Sequence, residues 1–256
     1  MDHDSKEITN TCLFRKFLIY KIFHTSMKIG VIRGATEKEV KSKKFNLYIG
    51  ISLGNKWFTK ENIKENILWC LKHTKDKLAI LIADTLHAIN YEVRNKEKST
   101  KAFKRAIKEG DKYEKIVKEI ISEIPQSKQD KIEILKWEDV KKDSYNKKFI
   151  PFFFEEFSKN KEFREEIIRL VKGFTKKDPQ NFNQEEINKL CEYVLLELPE
   201  LLHGFDYKGT HYNCYTYPFD SPLTRMVEKI QKKVLFPYFY DKIGIQKNVF
   251  VELKNN

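Results

Sequence analysis

Turn-forming residues are scarce in this chain, with 9 Gly and 7 Pro among 256 residues. That scarcity argues against a collagenous or many-stranded all-β architecture. Long apolar stretches are missing too: no uninterrupted run approaches the ~18 residues of a membrane-spanning helix. Cysteine is sparse and scattered. Cys12, Cys70, Cys191 and Cys214 form no C-x-x-C pair. This excludes a disulfide framework read from spacing, speaks against a metal centre, and makes a reduced, cytoplasmic setting the simplest expectation.

Apolar residues, by contrast, are plentiful. At 41% hydrophobic the chain is too rich in core-forming residues to be disordered. Lys and Arg number 49 against 37 Asp and Glu, a formal +12 that favours polyanionic partners such as nucleic acid or an anionic surface. With no internal repeat or low-complexity linker, one domain over residues 45–256 is expected, with residues 1–44 as an N-terminal extension packed on it. Within that extension, residues 12–23 (CLFRKFLIYKIF) come nearest to a signal peptide or amphipathic anchor. Arg15, Lys16 and Lys21 interrupt the segment, and no small-residue cleavage site follows it. It reads as a basic, partly buried element, and no membrane partner is expected.

Residues 45–52 (FNLYIGIS) and 77–84 (KLAILIAD) are short apolar runs, as expected of strands covered on both faces. Helical spacing lies between them at 59–73, opening on Thr59 as N-cap. A long helix ending near Pro125 precedes a third strand at 131–137 (KIEILKW). Alternating strands and helices predict an α/β, Rossmann-like, mostly parallel sheet flanked by helices. Further helices are expected at 151–172, at 183–202 and after Pro222, with β-like or irregular chain at 207–217.

The first strand runs into Gly50-Ile51-Ser52-Leu53-Gly54-Asn55. Ligands of parallel α/β sheets bind beyond the carboxyl ends of the strands, where Ser52 falls, and flanking glycines let a substrate approach the backbone. Ser52 is there a nucleophile, a phosphate-binding hydroxyl or a helix cap. The spelling G-x-S-x-G also matches the nucleophile elbow of α/β-hydrolases, which needs a downstream acid and histidine. Asp84 with His203 or His211 could be named for these roles, but no oxyanion segment precedes the first strand.

Later, Tyr193-Val194-Leu195-Leu196-Glu197-Leu198-Pro199 puts Tyr193 and Glu197 on one helix face within an apolar segment. A carboxylate there needs a cation, either a protein Lys or Arg or a substrate ammonium. A third cluster, Tyr215-Thr216-Tyr217-Pro218, carries no weight alone.

In the helix after Ser99, Lys101, Lys104, Arg105, Lys108, Lys112 and Lys115 fall within about 60° of one line, with Phe103, Ala106, Ile107 and Tyr113 opposite. Residues 94–118 hold ten basic and four acidic residues, an excess of six that is half the formal total. A stripe of one sign suits a phosphate backbone, where released counterions supply affinity. RNA is favoured over lipid because the opposite face reads as core.

Together these segments resemble the tRNA-dependent cyclodipeptide synthases, which carry G-[V/I]-S-x-G-N after the first strand and Y-[L/V/I]-x-x-E-x-P much later. A further family tyrosine corresponds to Tyr217. The likeness runs from about Phe45 to the C-terminal helix. It implies a fold like the catalytic domain of class I aminoacyl-tRNA synthetases, without ATP chemistry or cofactor. In agreement, no P-loop and no HIGH-like or KMSKS-like signature occurs.

The resemblance also implies an aminoacyltransferase whose substrates are two aminoacyl-tRNAs, with catalytic Ser52, Tyr193, Glu197 and Tyr217. Ser52 would take the first aminoacyl group, and Glu197, kept ionised, would hold its α-ammonium beside Tyr193. Asn55 would orient that group, Gly50 would leave space for its side chain, and Tyr217 would relay a proton or position the dipeptidyl group. Lys101, Lys104, Arg105, Lys108 and Lys112 would bind tRNA. The chain departs from the family pattern at one point: Tyr217-Pro218 resembles a branch whose members usually lack the asparagine found here at position 55. A serine esterase and a non-enzymatic RNA-binding module are the alternatives.

Overall fold

The structure, a computed structural model, describes residues 25–175 and 181–255. The basic element expected at 12–23 lies outside the described residues. Strands β1 (Lys28–Arg33), β2 (Leu47–Ile51), β3 (Leu78–Ile82), β4 (Ile132–Lys136), β7 (Cys214–Tyr217) and β8 (Val249–Lys254) form one sheet in the order β1-β8-β7-β2-β3-β4. All neighbours are parallel except β1, which runs antiparallel to β8. Between β7 and its preceding helix, β5 (Phe205–Tyr207) and β6 (Thr210–Tyr212) make a small hairpin. From β2 the chain builds outward to β3 and β4 on one side. It returns to build β7 and β8 on the other. The direction of winding therefore switches between β2 and β7, the place where such sheets leave a crevice for ligand.

Seven helices of ten residues or more are described: α1 (Lys60–His73), α2 (Asp84–Arg94), α3 (Ser99–Ser122), α4 (Ser144–Lys159), α5 (Lys161–Thr175), α6 (Gln184–His203) and α7 (Pro222–Gln231). Every residue of β2 and of β3 is buried, because helices cover both faces. The two-residue period of a strand sorts the β2 side chains. Leu47, Ile49 and Ile51 join one core with α1 and α3, whereas Tyr48 joins the other with α4, α5 and α6. Gly50 follows Tyr48 on its face, and Ser52 continues that row toward α6.

Local signals explain most boundaries. Thr59 caps α1 by accepting from the Asn62 amide (3.3 Å). Asn183 caps α6 in a box with Glu186. The single helix expected at 151–172 is instead two. Asp143 caps α4 through the Tyr145 and Asn146 amides, so the helix starts a full two turns before Pro151. Asn160, with ψ of 110°, then breaks the helix and caps α5 through the Phe163 amide (3.1 Å). Neither β1 nor β8 was expected. Together they close the sheet edge opposite β4. No helix among the described residues is long and apolar enough to cross a membrane.

Candidate active site

Beyond the β2 and β7 ends, Ser52, Asn55, Tyr193, Glu197 and Tyr217 line one cavity of about 560 Å³. The parallel pairing of β2 with β7 sets Tyr48 against Tyr215 and Ile49 against Thr216, which places Tyr215 and Tyr217 on the same face as Gly50 and Ser52. Both tyrosine rings lean across β2. Tyr217 reaches Ser52, its hydroxyl lying 3.1 Å from Oγ and donating to it. Tyr215 lies over Gly50, where an added Cβ would stand 2.6 Å from its ring. The space that the sequence suggested Gly50 would leave for a substrate side chain is therefore filled by Tyr215.

Asn55 acts at one remove. Its Nδ2 donates to the Tyr217 hydroxyl (3.2 Å), and its Oδ1 accepts from the Trp57 amide (3.0 Å), which fixes the orientation of the amide group. With its oxygen taken up as acceptor, the Tyr217 hydroxyl directs its own proton at Ser52. The Ser52 hydroxyl hydrogen is left free to point into the cavity. Gly54, at φ +73°, makes the turn that brings Asn55 round. Ser52 caps no helix: α1 begins at Lys60 with Thr59 as its cap.

From across the cavity, α6 presents Tyr193 and Glu197 one turn apart. Among the described residues no lysine or arginine pairs with Glu197, and burial alone pushes its pKa up to about 7. The resemblance implied a carboxylate kept ionised; in the free protein, burial shifts the balance toward the neutral form.

One turn further, Glu200 is 2% exposed, its Oε1 has no partner, and burial pushes its pKa up to about 8. Its folded pKa lies above the unfolded value near 4.5, so the folded chain holds a proton that the unfolded chain has lost. The stabilisation is complete below about pH 4.5 and fades as pH rises through 8. Glu200→Gln removes this dependence. Urea melts at pH 5 and pH 9 should show wild type losing on the order of 3–5 kcal/mol more than the variant over that span. Equal losses would contradict the burial of an ionisable carboxyl here.

A hydrolase triad does not assemble. His203 accepts from the Gln246 amide through Nδ1 (3.0 Å) and packs on Tyr145, while His211 pairs with Asp206 (2.7 Å). Asp84 accepts from the Trp137 amide (3.2 Å). Neither histidine lines the cavity; among the described residues the histidine that does is His87, whose pKa burial lowers to about 4. His87, Asn90 and Arg94 reach the cavity from one face of α2, and sequence reasoning passed over them. Their i, i+3, i+7 spacing was the available signal.

The basic stripe of α3 lies apart from the cavity lining. Lys101, Lys104, Lys108, Lys112 and Lys115 are exposed. Arg105 differs: its guanidinium pairs with Glu97 (2.7 Å) and Glu109 (2.9 Å) and lies over the Tyr91 ring. Phe103, expected in the core, is 50% exposed.

A sequence profile of the cyclodipeptide synthases matches residues 34–235. The chain belongs to that family. Among curated protein sequences none matches it. Solved cyclodipeptide synthases share its fold. One from Bacillus thermoamylovorans is 18% identical, with 92% of this chain and 99% of that one covered at a TM-score of 0.72. One from Mycobacterium tuberculosis, described as related to type I tRNA synthetases, is 14% identical over 90% and 96% at 0.67. A third, from Candidatus Glomeribacter gigasporarum and bound to Phe-tRNAPhe, is 18% identical over 86% and 90% at 0.54.

Proposed function

We propose that this chain is an aminoacyltransferase that joins the amino acids of two aminoacyl-tRNAs into a diketopiperazine through an ester on Ser52, without ATP. The observation that carries the reading is the chain of hydrogen bonds from Asn55 through Tyr217 to Ser52, in one cavity with a Glu197 that no described lysine or arginine pairs. An ester already activated on tRNA needs no adenylation. Ser52 Oγ attacks the ester carbonyl, the tRNA 3′ oxygen departs with the proton, and an aminoacyl-serine remains. The amine of the second aminoacyl-tRNA attacks that carbonyl, frees Ser52 and leaves a dipeptidyl-tRNA. Attack of the dipeptide's own amine on its tRNA ester closes the ring and releases the second tRNA.

Glu197 and Tyr193 suit the α-amine of the serine-bound residue. An amine with pKa near 8 facing a carboxyl near 7 forms a charge-assisted pair at neutral pH. Gly50 contributes by admitting the Tyr215 ring that floors the cavity, and Tyr217 can give and take a proton during ring closure. The test is direct: purified protein with charged tRNAs, followed by mass spectrometry for diketopiperazines. A folded, tRNA-binding sample that yields none from any amino-acid mixture would overturn the reading.

Lys101, Lys104, Lys108 and Lys112 are assigned to the tRNA backbone, with Arg105 beside them but already engaged by Glu97 and Glu109. Reversing Lys104 and Lys108 to Glu should weaken tRNA binding by about tenfold or more. It should also lower the slope of log Kd against log salt by about 2, because each lost phosphate contact removes roughly one released counterion. Single-turnover rates at saturating tRNA should be unchanged. An unaltered salt slope would remove this helix from the interface.

A further inference from the structure

Most exposed apolar residues need no explanation. Phe219 is different because of what holds it. It is 47% exposed, on the segment that leaves β7 and enters α7, between Tyr217 and Ser221, both of which line the cavity. The segment is fixed at both ends. Pro218 is buried. Asp220 accepts a two-pronged bond from Arg33 (2.9 and 2.7 Å) and further bonds from Thr224 (2.8 Å) and Arg225 (3.0 Å). Its own amide donates to Glu252 (3.1 Å), and Ser221 caps α7. The backbone that carries Phe219 is thus anchored, and its half-exposed ring stands next to residues that line the cavity.

Its position relative to Ser52 gives the ring a use. Phe219 packs edge-to-face on Tyr217 (6.2 Å, 74°), the same side chain whose hydroxyl meets Ser52 Oγ. On the other side Tyr217 packs on Phe58, and Phe58 on Trp57. An ester attacked by Ser52 sits on the ribose of the last nucleotide of the tRNA. The adenine of that nucleotide is one sugar ring from the reacting carbonyl, and it must lie at the rim while the acyl group is inside.

We propose that Phe219 is the stacking platform for the terminal adenine of the aminoacyl-tRNA, a positioning residue that sets the ester over Ser52. The assignment rests on the reading that Ser52 receives its acyl group from tRNA. Stacking needs no hydrogen-bond readout and tolerates any tRNA body, since every charged tRNA ends in the same base. A ring carried on an anchored segment and packed on Tyr217 has less freedom to lose on binding, so more of the stacking energy appears as affinity.

A binding cycle tests it without any product being formed. The probes are a tRNA carrying its amino acid through a non-reactive 3′ amide, and the same tRNA with the terminal base removed. Wild type should lose about 5- to 100-fold in affinity when the base is absent. Phe219→Ala should lose the same factor toward the intact probe and nothing more toward the abasic one, while Phe219→Trp should keep wild-type affinity. Phe219→Ala binding the intact probe within twofold of wild type overturns the proposal. So do two losses that multiply in the combined experiment. The failures are separable: a chain that stacks the base yet forms no diketopiperazine loses its proposed chemistry alone. A chain that makes diketopiperazine with no sensitivity at Phe219 loses the platform alone.

Discussion

Wild-type protein mixed with a single species of charged tRNA should gain the mass of one aminoacyl residue, and Ser52→Ala should gain nothing. Diketopiperazine formation should fall by on the order of 10³-fold or more, as when the nucleophile of a covalent mechanism is deleted. The substitution is structurally mild. Ser52 is half-buried, and its side chain accepts one described hydrogen bond, from Tyr217. Losing one such bond at a wet cavity wall costs about 1 kcal/mol of stability. Affinity for tRNA should stay within twofold, because the lysines proposed to contact phosphate lie on α3, apart from the cavity lining. These readouts separate the enzyme from an RNA-binding module, in which Ser52→Ala changes nothing. An adduct that persists in Ser52→Ala would move the acyl group to another side chain and remove the central residue of the mechanism.

Much of this site is legible in the linear sequence, for physical reasons. Strands β2 and β3 are buried between helices, so they appear as unbroken apolar runs, and the half-buried edge strand β4 (IEILK) still carries three apolar residues in five. The edge strand β1 (KIGVIR) is only partly buried, and β8 (VFVELK) carries Glu252 beneath the Asp220 amide, so neither has that signature. Ser52 and Glu197 stand in segments whose residue order marks them as candidates, and the structure brings both to one cavity. The meeting of Tyr217 with Ser52 does not show in sequence, because the two lie 165 residues apart and are joined only by the parallel register of β7 on β2. The same register explains the misreading at Gly50. A glycine looks like room for a ligand until the strand beside it is known to lean a tyrosine into that room. Phe103 was misplaced for a related reason. Periodicity tells which side of α3 it occupies, but not that the covering elements stop short of it.

Glu197→Gln should reduce kcat/KM by about 10²- to 10⁴-fold, the range for loss of a positioned acid–base group, while tRNA affinity and the Ser52 nucleophile remain. Glutamine keeps the shape and can accept a hydrogen bond, but it can neither balance an ammonium nor take its proton. The pH dependence tests the assignment more closely than the size of the loss. Burial raises the Glu197 pKa to about 7, so the ionised form that attracts an ammonium grows as pH rises through 7. In wild type, kcat/KM should climb along that limb, since it reports the free enzyme. Once an ammonium is bound, its charge favours the carboxylate and draws the pKa down. The limb in kcat should therefore lie at lower pH than the limb in kcat/KM. Glu197→Gln should lose both limbs and keep only the dependence set by the substrate amines. If wild type and variant shared the same profile, Glu197 would be a buried structural carboxyl, and the grip on the amine would have to come from Tyr193 alone.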